Sequence, residues 1–214
     1  MNEFEEKNIN EIESPDEILD GKNEKMDIKK EIFEWVKSIA IALVIAFLLR
    51  NYVLTLAKVD GESMEPSLQH ADRLYVNKVM YTPKKGDVVI FEPGSAQGKA
   101  YIKRVIATEG DTIFIDFKTG EVFVNDVLID EPYIKEPTHL LGSYIRYLID
   151  TDSYSKDKPI KLEEGYFWAM GDNRNASKDS RELGPIPEHE LVGHALFRFW
   201  PITNMGTLDF DVEE

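Results

Sequence analysis

The sequence predicts a mainly β protein: an antiparallel β-sheet core with a small β cap, preceded by one transmembrane helix. Short runs rich in Val, Ile, Tyr and Phe recur between residues 53 and 200 and are separated by Gly, Pro, Asn and Asp. One long apolar stretch, residues 39–49, precedes them. No heptad pattern and no repeat of about 20–50 residues is visible, so neither a coiled coil nor a solenoid is indicated.

The N-terminal part divides into a tail and a hydrophobic segment. Residues 1–31 are rich in Glu, Asp, Asn and Lys and too poor in apolar positions to fold alone, which predicts a flexible acidic tail. Residues 32–50 are predicted to be the transmembrane helix, because residues 32–49 would extend about 27 Å, nearly a full bilayer core. Trp35 and Lys37 suit one membrane interface, and Arg50 with Tyr52 suits the other.

The distribution of basic residues predicts the orientation of this segment. Lysines are concentrated on its N-terminal side, which places the N-terminus in the cytoplasm and residues from 51 onward outside the cell. A cleaved signal peptide is the alternative, with Thr55-Leu56-Ala57 as a passable processing site. Since residues 1–37 are far too long and acidic for the n-region of such a peptide, an uncleaved, single-pass anchor in the cell membrane is favoured.

Residues 51–214 are predicted to form one extracytoplasmic domain. Its strands are expected at residues 53–59, 73–79, 87–91, 100–107, 112–116, 166–170 and 191–200. Residues 122–124 and 127–129, joined by Asn125-Asp126, predict a tight hairpin. Residues 108–164, which contain this hairpin and a polar loop at 151–161, are expected to form the small cap, and the loop is expected to be mobile.

The composition excludes several function classes. A formal charge of -15, from 40 acidic and 25 basic residues, argues against nucleic-acid binding, which relies on clustered Lys and Arg. The chain has no cysteine, so disulfides and thiolate chemistry are excluded. His189 and His194 are spaced by five residues, not by the four of a zinc-protease helix, so no metal and no cofactor are expected.

Ser63 is a candidate nucleophile, in Gly61-Glu62-Ser63-Met64-Glu65-Pro66-Ser67-Leu68. A serine hydroxyl is a poor nucleophile until a base takes its proton. The four histidines stand in no recognisable relation to Ser63, and the segment lacks the second glycine of a nucleophile elbow. A Ser-His-Asp triad is therefore disfavoured.

Lys103, in Tyr101-Ile102-Lys103-Arg104-Val105, is the candidate base. The pKa of a free lysine, about 10.4, must fall by about 3 units to lie near neutral pH. Burial among apolar groups can lower it that far. On a strand, Tyr101 and Val105 share the face of Lys103, whereas Arg104 points to the other side, so Lys103 is expected to project over an apolar surface.

A polar block could complete the site: Gly171-Asp172-Asn173-Arg174-Asn175-Ala176-Ser177-Lys178-Asp179-Ser180-Arg181. The Ser177 hydroxyl can accept a hydrogen bond from the lysine and orient it. Asp179 can pair with Arg181 or with Arg104 to hold the loop. Gly171 would let two backbone segments approach closely.

These motifs, in this order behind a hydrophobic anchor, resemble those of bacterial type I signal peptidase, a membrane-bound Ser-Lys endopeptidase that removes signal peptides from exported preproteins. The resemblance extends from the anchor to about Trp200. The single anchor and short cap resemble the compact Gram-positive type. The matching boxes lie at residues 61–68, 73–78, 86–91, 101–105 and 171–181.

The resemblance implies a role for each site residue. Ser63 would be the nucleophile, its backbone N–H an oxyanion donor, Lys103 the general base and Ser177 the lysine-orienting hydroxyl. The residues implied to support the site are Gly171, Asp179 and Arg181. Shallow pockets for small substrate residues at positions -1 and -3 would be lined by Val59, Leu68, Tyr101 and Ile102.

One position departs from part of the family. Some members have a serine two positions before the nucleophile, where its hydroxyl adds to the oxyanion hole, but this chain has Gly61. The implied partners are the signal peptides of secretory preproteins and the lipid bilayer, and the implied fold is the family's mostly β catalytic core.

Other protein classes also fit parts of the sequence. Self-cleaving repressors and pilin-processing peptidases use the same Ser-Lys dyad, but the acidic N-terminus offers no DNA-binding domain for a repressor. A membrane-anchored β module that binds peptides by strand addition is the non-enzymatic alternative. Such a module would need neither Lys103 nor Ser177.

Overall fold

The structure is a computed structural model that describes residues 28–48, 54–79, 81–96, 98–208 and 210. The chain divides into two units, residues 1–45 and 46–214. Helix α1 and the β unit are therefore described separately.

Helix α1 spans Ile28–Leu48. Residues 28–31 are thus helical, and the predicted tail was too long at this end, because Lys and Glu are good helix formers and Glu31 in the first turn complements the helix dipole. The rest of that tail, residues 1–27, and residues 49 and 50 of the predicted transmembrane segment lie outside the described residues. Of the helices that the structure describes, none combines the length and the apolar character needed to cross a membrane.

Among its described residues, the β unit contains twelve strands and two short α-helices. The strands are β1 (Leu54–Lys58), β2 (Arg73–Asn77), β3 (Val88–Phe91), β4 (Tyr101–Ala107), β5 (Thr112–Asp116), β6 (Glu121–Val124), β7 (Val127–Leu128), β8 (Ile160–Lys161), β9 (Tyr166–Met170), β10 (Ile186–Pro187), β11 (Leu191–Trp200) and β12 (Gly206–Thr207). The helices are α2 (Ser143–Asp150) and α3 (Ser180–Leu183), and 3-10 turns cover Gly94–Ala96, Arg174–Ala176, Glu188–Glu190 and Ile202–Asn204.

These strands form two antiparallel sheets. The larger, eight-stranded sheet has the order β1-β2-β11-β3-β4-β9-β10, with β12 paired to β11. The smaller sheet has the order β7-β6-β5-β8. The predicted mainly β, antiparallel fold is confirmed.

The smaller sheet contains the predicted hairpin. Strands β6 and β7 pair through Val124 and Val127, and both connecting residues adopt positive φ, Asn125 at 52° and Asp126 at 65°. Two positive φ angles are typical of the turn that suits the twist of a tight hairpin. Helix α2 was not predicted, because Ile145 is its one buried residue and eight residues make too few turns for a clear helical period.

Apolar packing anchors the segments that carry the candidate site. Met64 and Leu68 are 1% and 0% exposed, and they pack in one cluster with Leu74, Val76, Val88 and Ile90. A second cluster contains Val89, Phe91, Val105, Phe167, Ala169 and Ile186. Buried side chains close in sequence to the candidate residues, such as Met64 and Val105, therefore hold the Ser63 turn and strand β4 in place.

Candidate active site

Ser63 lies in a turn between β1 and β2. The Glu65 N–H donates to the Glu62 carbonyl at 3.1 Å, and the Leu68 N–H donates to the Met64 carbonyl at 2.8 Å. Gly61 adopts a φ of 101°, in the left-handed region that favours glycine. Because the side chain of Met64 is buried while Ser63 is half-buried, the turn holds the serine at the surface of a cleft.

Lys103 lies on β4, where it pairs with Val89 of β3, and its side chain reaches the serine. Its Nζ donates to Ser63 Oγ at 2.7 Å and to the Ile102 carbonyl at 2.8 Å. The residue is 2% exposed. Burial lowers the pKa of Lys103 from 10.5 to about 8, although the nearby carboxylates of Asp179 and Asp172 oppose this change. The amine therefore loses its proton far more readily than an exposed lysine.

Gly171 brings the polar block against the nucleophile. A Cβ atom at this position would lie 2.4 Å from the Ser63 carbonyl oxygen and 2.3 Å from Ser177 Oγ. No real side chain tolerates such distances, so only glycine lets the block approach the backbone of Ser63 this closely.

Ser177 is buried, and its hydroxyl makes no hydrogen bond to Lys103 such as the sequence analysis expected. In the described part of the chain its hydroxyl has no partner at hydrogen-bond geometry. A looser interaction with the Asp179 carboxylate does help to lower the pKa of that group. The lysine-orienting role of Ser177 stays a prediction.

Asp179 and Arg181 form a buried ion pair that holds the loop. Arg181 donates to Asp179 through Nε at 2.9 Å and Nη2 at 2.8 Å, and the Gly171 N–H donates to the same carboxylate at 2.9 Å. Burial alone would raise the pKa of Asp179, but Arg181 and the other donors lower it overall. Of the two partners that the sequence analysis left open for Asp179, the structure selects Arg181, while Arg104 pairs with Asp172.

Asn173 also contributes to the site, and the sequence analysis did not single it out. Its backbone N–H donates to the Ser63 carbonyl at 3.1 Å, and its Nδ2 donates to the Glu62 carbonyl at 3.1 Å. Its place two residues after Gly171, inside the polar block, is the signal that could have identified it. Asn173 therefore ties the polar block to the main chain of the nucleophile.

A cleft of ≈ 580 Å³ opens beside Ser63 and Lys103. Three of the four predicted pocket residues, Val59, Tyr101 and Ile102, line it. Leu68 is not among the lining residues and is fully buried in the core. The apolar lining residues that the sequence analysis missed are Ala57, Met64, Ile90, Ala100 and Ala176.

Comparisons with known proteins identify the family of this chain. The family described as signal peptidase, peptidase S26, matches residues 32–200. Signal peptidase IB of Staphylococcus aureus is 38% identical over 182 residues, which cover 82% of this chain and 93% of the relative. Signal peptidase I S of Bacillus subtilis is 35% identical over 190 residues, which cover 86% and 97%.

A solved structure, a signal peptidase I from Enterococcus faecalis, matches 54% of this chain and 97% of its own length, with a TM-score of 0.38 and 22% identity. The family match covers most of the chain, and both relatives align over nearly their whole length. The chain therefore belongs to the peptidase S26 family, as a bacterial type I signal peptidase of the Gram-positive type.

Proposed function

We propose that this signal peptidase is a membrane-bound serine endopeptidase that cleaves signal peptides from exported preproteins with a dyad of Ser63 and Lys103. The observation that carries the proposal is the 2.7 Å contact between Lys103 Nζ and Ser63 Oγ. Since burial lowers the pKa of Lys103 to about 8, roughly a tenth of the amine is neutral at pH 7 and can accept the hydroxyl proton.

The proposed reaction proceeds through an acyl-enzyme. Neutral Lys103 takes the proton of Ser63 Oγ as this oxygen attacks the carbonyl carbon of the scissile bond. The lysine then gives that proton to the nitrogen of the departing mature chain as the peptide bond breaks. Lys103 next takes a proton from water, which attacks the ester, and returns it to Ser63 Oγ as the signal peptide leaves.

The oxyanion of this reaction needs a hydrogen-bond donor, and loss of one such donor can cost about 10²–10³ in rate. The backbone N–H of Ser63 donates to no other residue in the described part of the chain, so it is available to the oxyanion. Gly61 supplies no hydroxyl. We therefore propose that stabilisation depends on backbone donors.

The proposed specificity is for small residues at positions -1 and -3 of the signal peptide. Support comes from the lining of the cleft, where Val59, Tyr101 and Ile102 lie together with the short side chains of Ala57 and Ala100. We propose that a large side chain beside the scissile bond does not fit between these residues. The proposed supporting residues are Ser177, Asp179, Arg181 and Gly171.

The proposed location is the cell membrane, with the N-terminus in the cytoplasm and the catalytic unit outside. Support comes from the apolar residues 39–49 and from the lysines that precede them. Alkaline extraction of cell membranes tests this part of the proposal. Protein that leaves the membranes with peripheral proteins would contradict an anchor.

Cleavage of a preprotein by detergent-solubilised protein tests the proposed chemistry. We expect Ser63→Ala and Lys103→Ala each to lower the rate by roughly 10³-fold or more, because each removes one member of the dyad. Lys118→Ala, which removes an exposed lysine, is the control and should cleave normally. The new N-terminus is then sequenced to test the small-residue rule.

Substantial cleavage by either dyad variant, with its circular dichroism unchanged, would overturn the dyad. A cut that does not follow a small residue at -1 would overturn the proposed specificity. The two outcomes are independent, because the first concerns the reacting atoms and the second concerns the walls of the cleft.

A further inference from the structure

Residues 131–140, here called the strap, cross between the two halves of the candidate site. On the nucleophile side, Ile134 forms a β-bridge with Pro66, and Lys135 Nζ lies 3.7 Å from Glu65 Oε2. On the other side, the Lys135 N–H donates to the Asp172 carbonyl at 3.4 Å. One short segment thus contacts both the turn of Ser63 and the polar block.

The strongest attachment of the strap is a buried ion pair between Glu131 and Arg174. Arg174 donates through Nη1 to Glu131 Oε2 at 2.8 Å and through Nη2 to Glu131 Oε1. Its Nη1 also donates to Thr138 Oγ1 at 3.0 Å. The side chains of Arg174 and Glu131 are 0% and 7% exposed. Such a bidentate pair fixes both orientation and distance, which an exposed ion pair does not.

Arg174 also contacts the loop that packs against the nucleophile. Its Nε donates to the Gly171 carbonyl at 3.0 Å. Gly171 packs directly against the Ser63 carbonyl, and Asn173, next to Arg174 in the chain, donates its N–H to that same oxygen at 3.1 Å. The position of the Ser63 main chain therefore depends on a loop that Glu131 holds in place.

We propose that Glu131 is a positioning residue for the Ser63–Lys103 dyad, acting through Arg174 and the loop that both residues fix. This inference rests on the proposed function, because it concerns the rate of the same reaction. The reacting atoms are 2.7 Å apart. A displacement of about 1 Å can cost roughly 100-fold in rate even when the altered residue lies away from the chemistry.

The test is the cleavage kinetics of Glu131→Gln beside Glu136→Gln. Both variants remove one carboxylate charge from the strap, but Glu136 is exposed and makes no described side-chain contact. We expect Glu131→Gln to lower kcat roughly 10- to 100-fold while KM changes no more than about threefold. Glu136→Gln should leave both constants unchanged.

A double-variant cycle identifies the route. If Glu131 acts through Arg174, then Glu131→Gln combined with Arg174→Gln should cleave no more slowly than the slower single variant. Multiplied losses would overturn this route. A purely structural role would lower the unfolding temperature of Glu131→Gln but leave kcat per folded molecule unchanged, and that result would overturn the proposal.

Glu131→Asp keeps the proposal testable if Glu131→Gln does not fold. This variant keeps the charge but shortens the side chain that reaches Arg174, so we expect a folded protein whose kcat is about threefold lower. An unchanged kcat would overturn the proposal. If the wild-type protein does not cleave, or cleaves without Ser63, the proposed function is refuted instead. This outcome is distinguishable from failure of the Glu131 proposal, because the wild type is measured in every series.

Discussion

Two adjacent cations on strand β4 have opposite surroundings. Lys103 contacts a hydroxyl and a carbonyl, and no carboxylate of the described residues lies within hydrogen-bond distance of its Nζ. Arg104, one residue further, donates to Asp172 through Nε at 3.0 Å and Nη2 at 2.8 Å. Its Nη1 donates to the carbonyls of Gly86 and Leu208. Both cations are almost fully buried.

The difference shows how one strand can carry both a proposed catalytic residue and a neighbouring residue that stabilises the fold. Consecutive side chains of a strand point to opposite faces, so neighbours can meet unrelated environments. A buried cation that is paired and fully hydrogen-bonded keeps its charge and holds segments together, whereas an unpaired one lowers its pKa instead. The Asp172 carboxylate is hydrogen-bonded to Arg104 and still raises the pKa of Lys103, but less than burial lowers it, and the proposed role of Lys103 requires an uncharged amine.

Breaking the Arg104–Asp172 pair should give the largest change in stability. Asp172→Asn leaves a buried guanidinium without its counter-charge, which we expect to lower the free energy of unfolding by about 3–5 kcal/mol. Urea denaturation measures this loss. Asp157→Asn, at an exposed position without a described side-chain contact, should change it by less than about 0.5 kcal/mol. A loss below about 1 kcal/mol for Asp172→Asn would mean that Arg104 does not depend on this carboxylate.

The sequence predicted that Lys103 is the base and that Arg104 points away from it, but not which carboxylate pairs with Arg104. Strand alternation separates Lys103 from Arg104, and both motifs of the dyad are short and local. Which carboxylate reaches Arg104 depends on how β4 lies against the loop after β9, and no local rule decides between Asp172 and Asp179. The sequence analysis accordingly left the partner of Asp179 open.

The contact between the strap and Arg174 could be predicted even less from local sequence patterns. Glu131 and Arg174 are 43 positions apart in the chain, and Glu131 belongs to none of the recognised motifs. An acidic residue in an acidic chain is most simply interpreted as exposed, so only the packed structure distinguishes buried Glu131 from exposed Glu136. The sequence thus predicted the strands and the residues of the proposed dyad, whereas the contacts around these residues required the tertiary structure.

The pH dependence of cleavage tests the lowered pKa of Lys103 and its proposed role as the base. The proposed base must be uncharged, and burial lowers the pKa of Lys103 to about 8. We therefore expect kcat/KM, which reflects the free enzyme, to rise about tenfold per pH unit below that value and to level off above it. Since Asp172 raises the pKa of Lys103, Asp172→Asn, if folded, should move the midpoint to lower pH.

Two outcomes of the pH measurement would contradict this account. A rate that continues to rise tenfold per unit between about pH 9 and 10 would mean that the pKa of Lys103 is that of an ordinary exposed lysine. A rate independent of pH between 6 and 10 would mean that Lys103 is not the base.

The smallest expected effect concerns the rings that cover Arg104. The Arg104 guanidinium carbon lies 4.3 Å from the centre of the Tyr133 ring and 5.0 Å from that of Phe210. Phe210 is 43% exposed, so Phe210→Leu should lower the free energy of unfolding by only about 0.5–1 kcal/mol. Thermal unfolding measures this change, and the pH profile of cleavage should remain that of the wild type. If Phe210→Leu instead moved the midpoint of that profile, the ring of Phe210 would affect the pKa of Lys103, which the Asp172 carboxylate on Arg104 already raises.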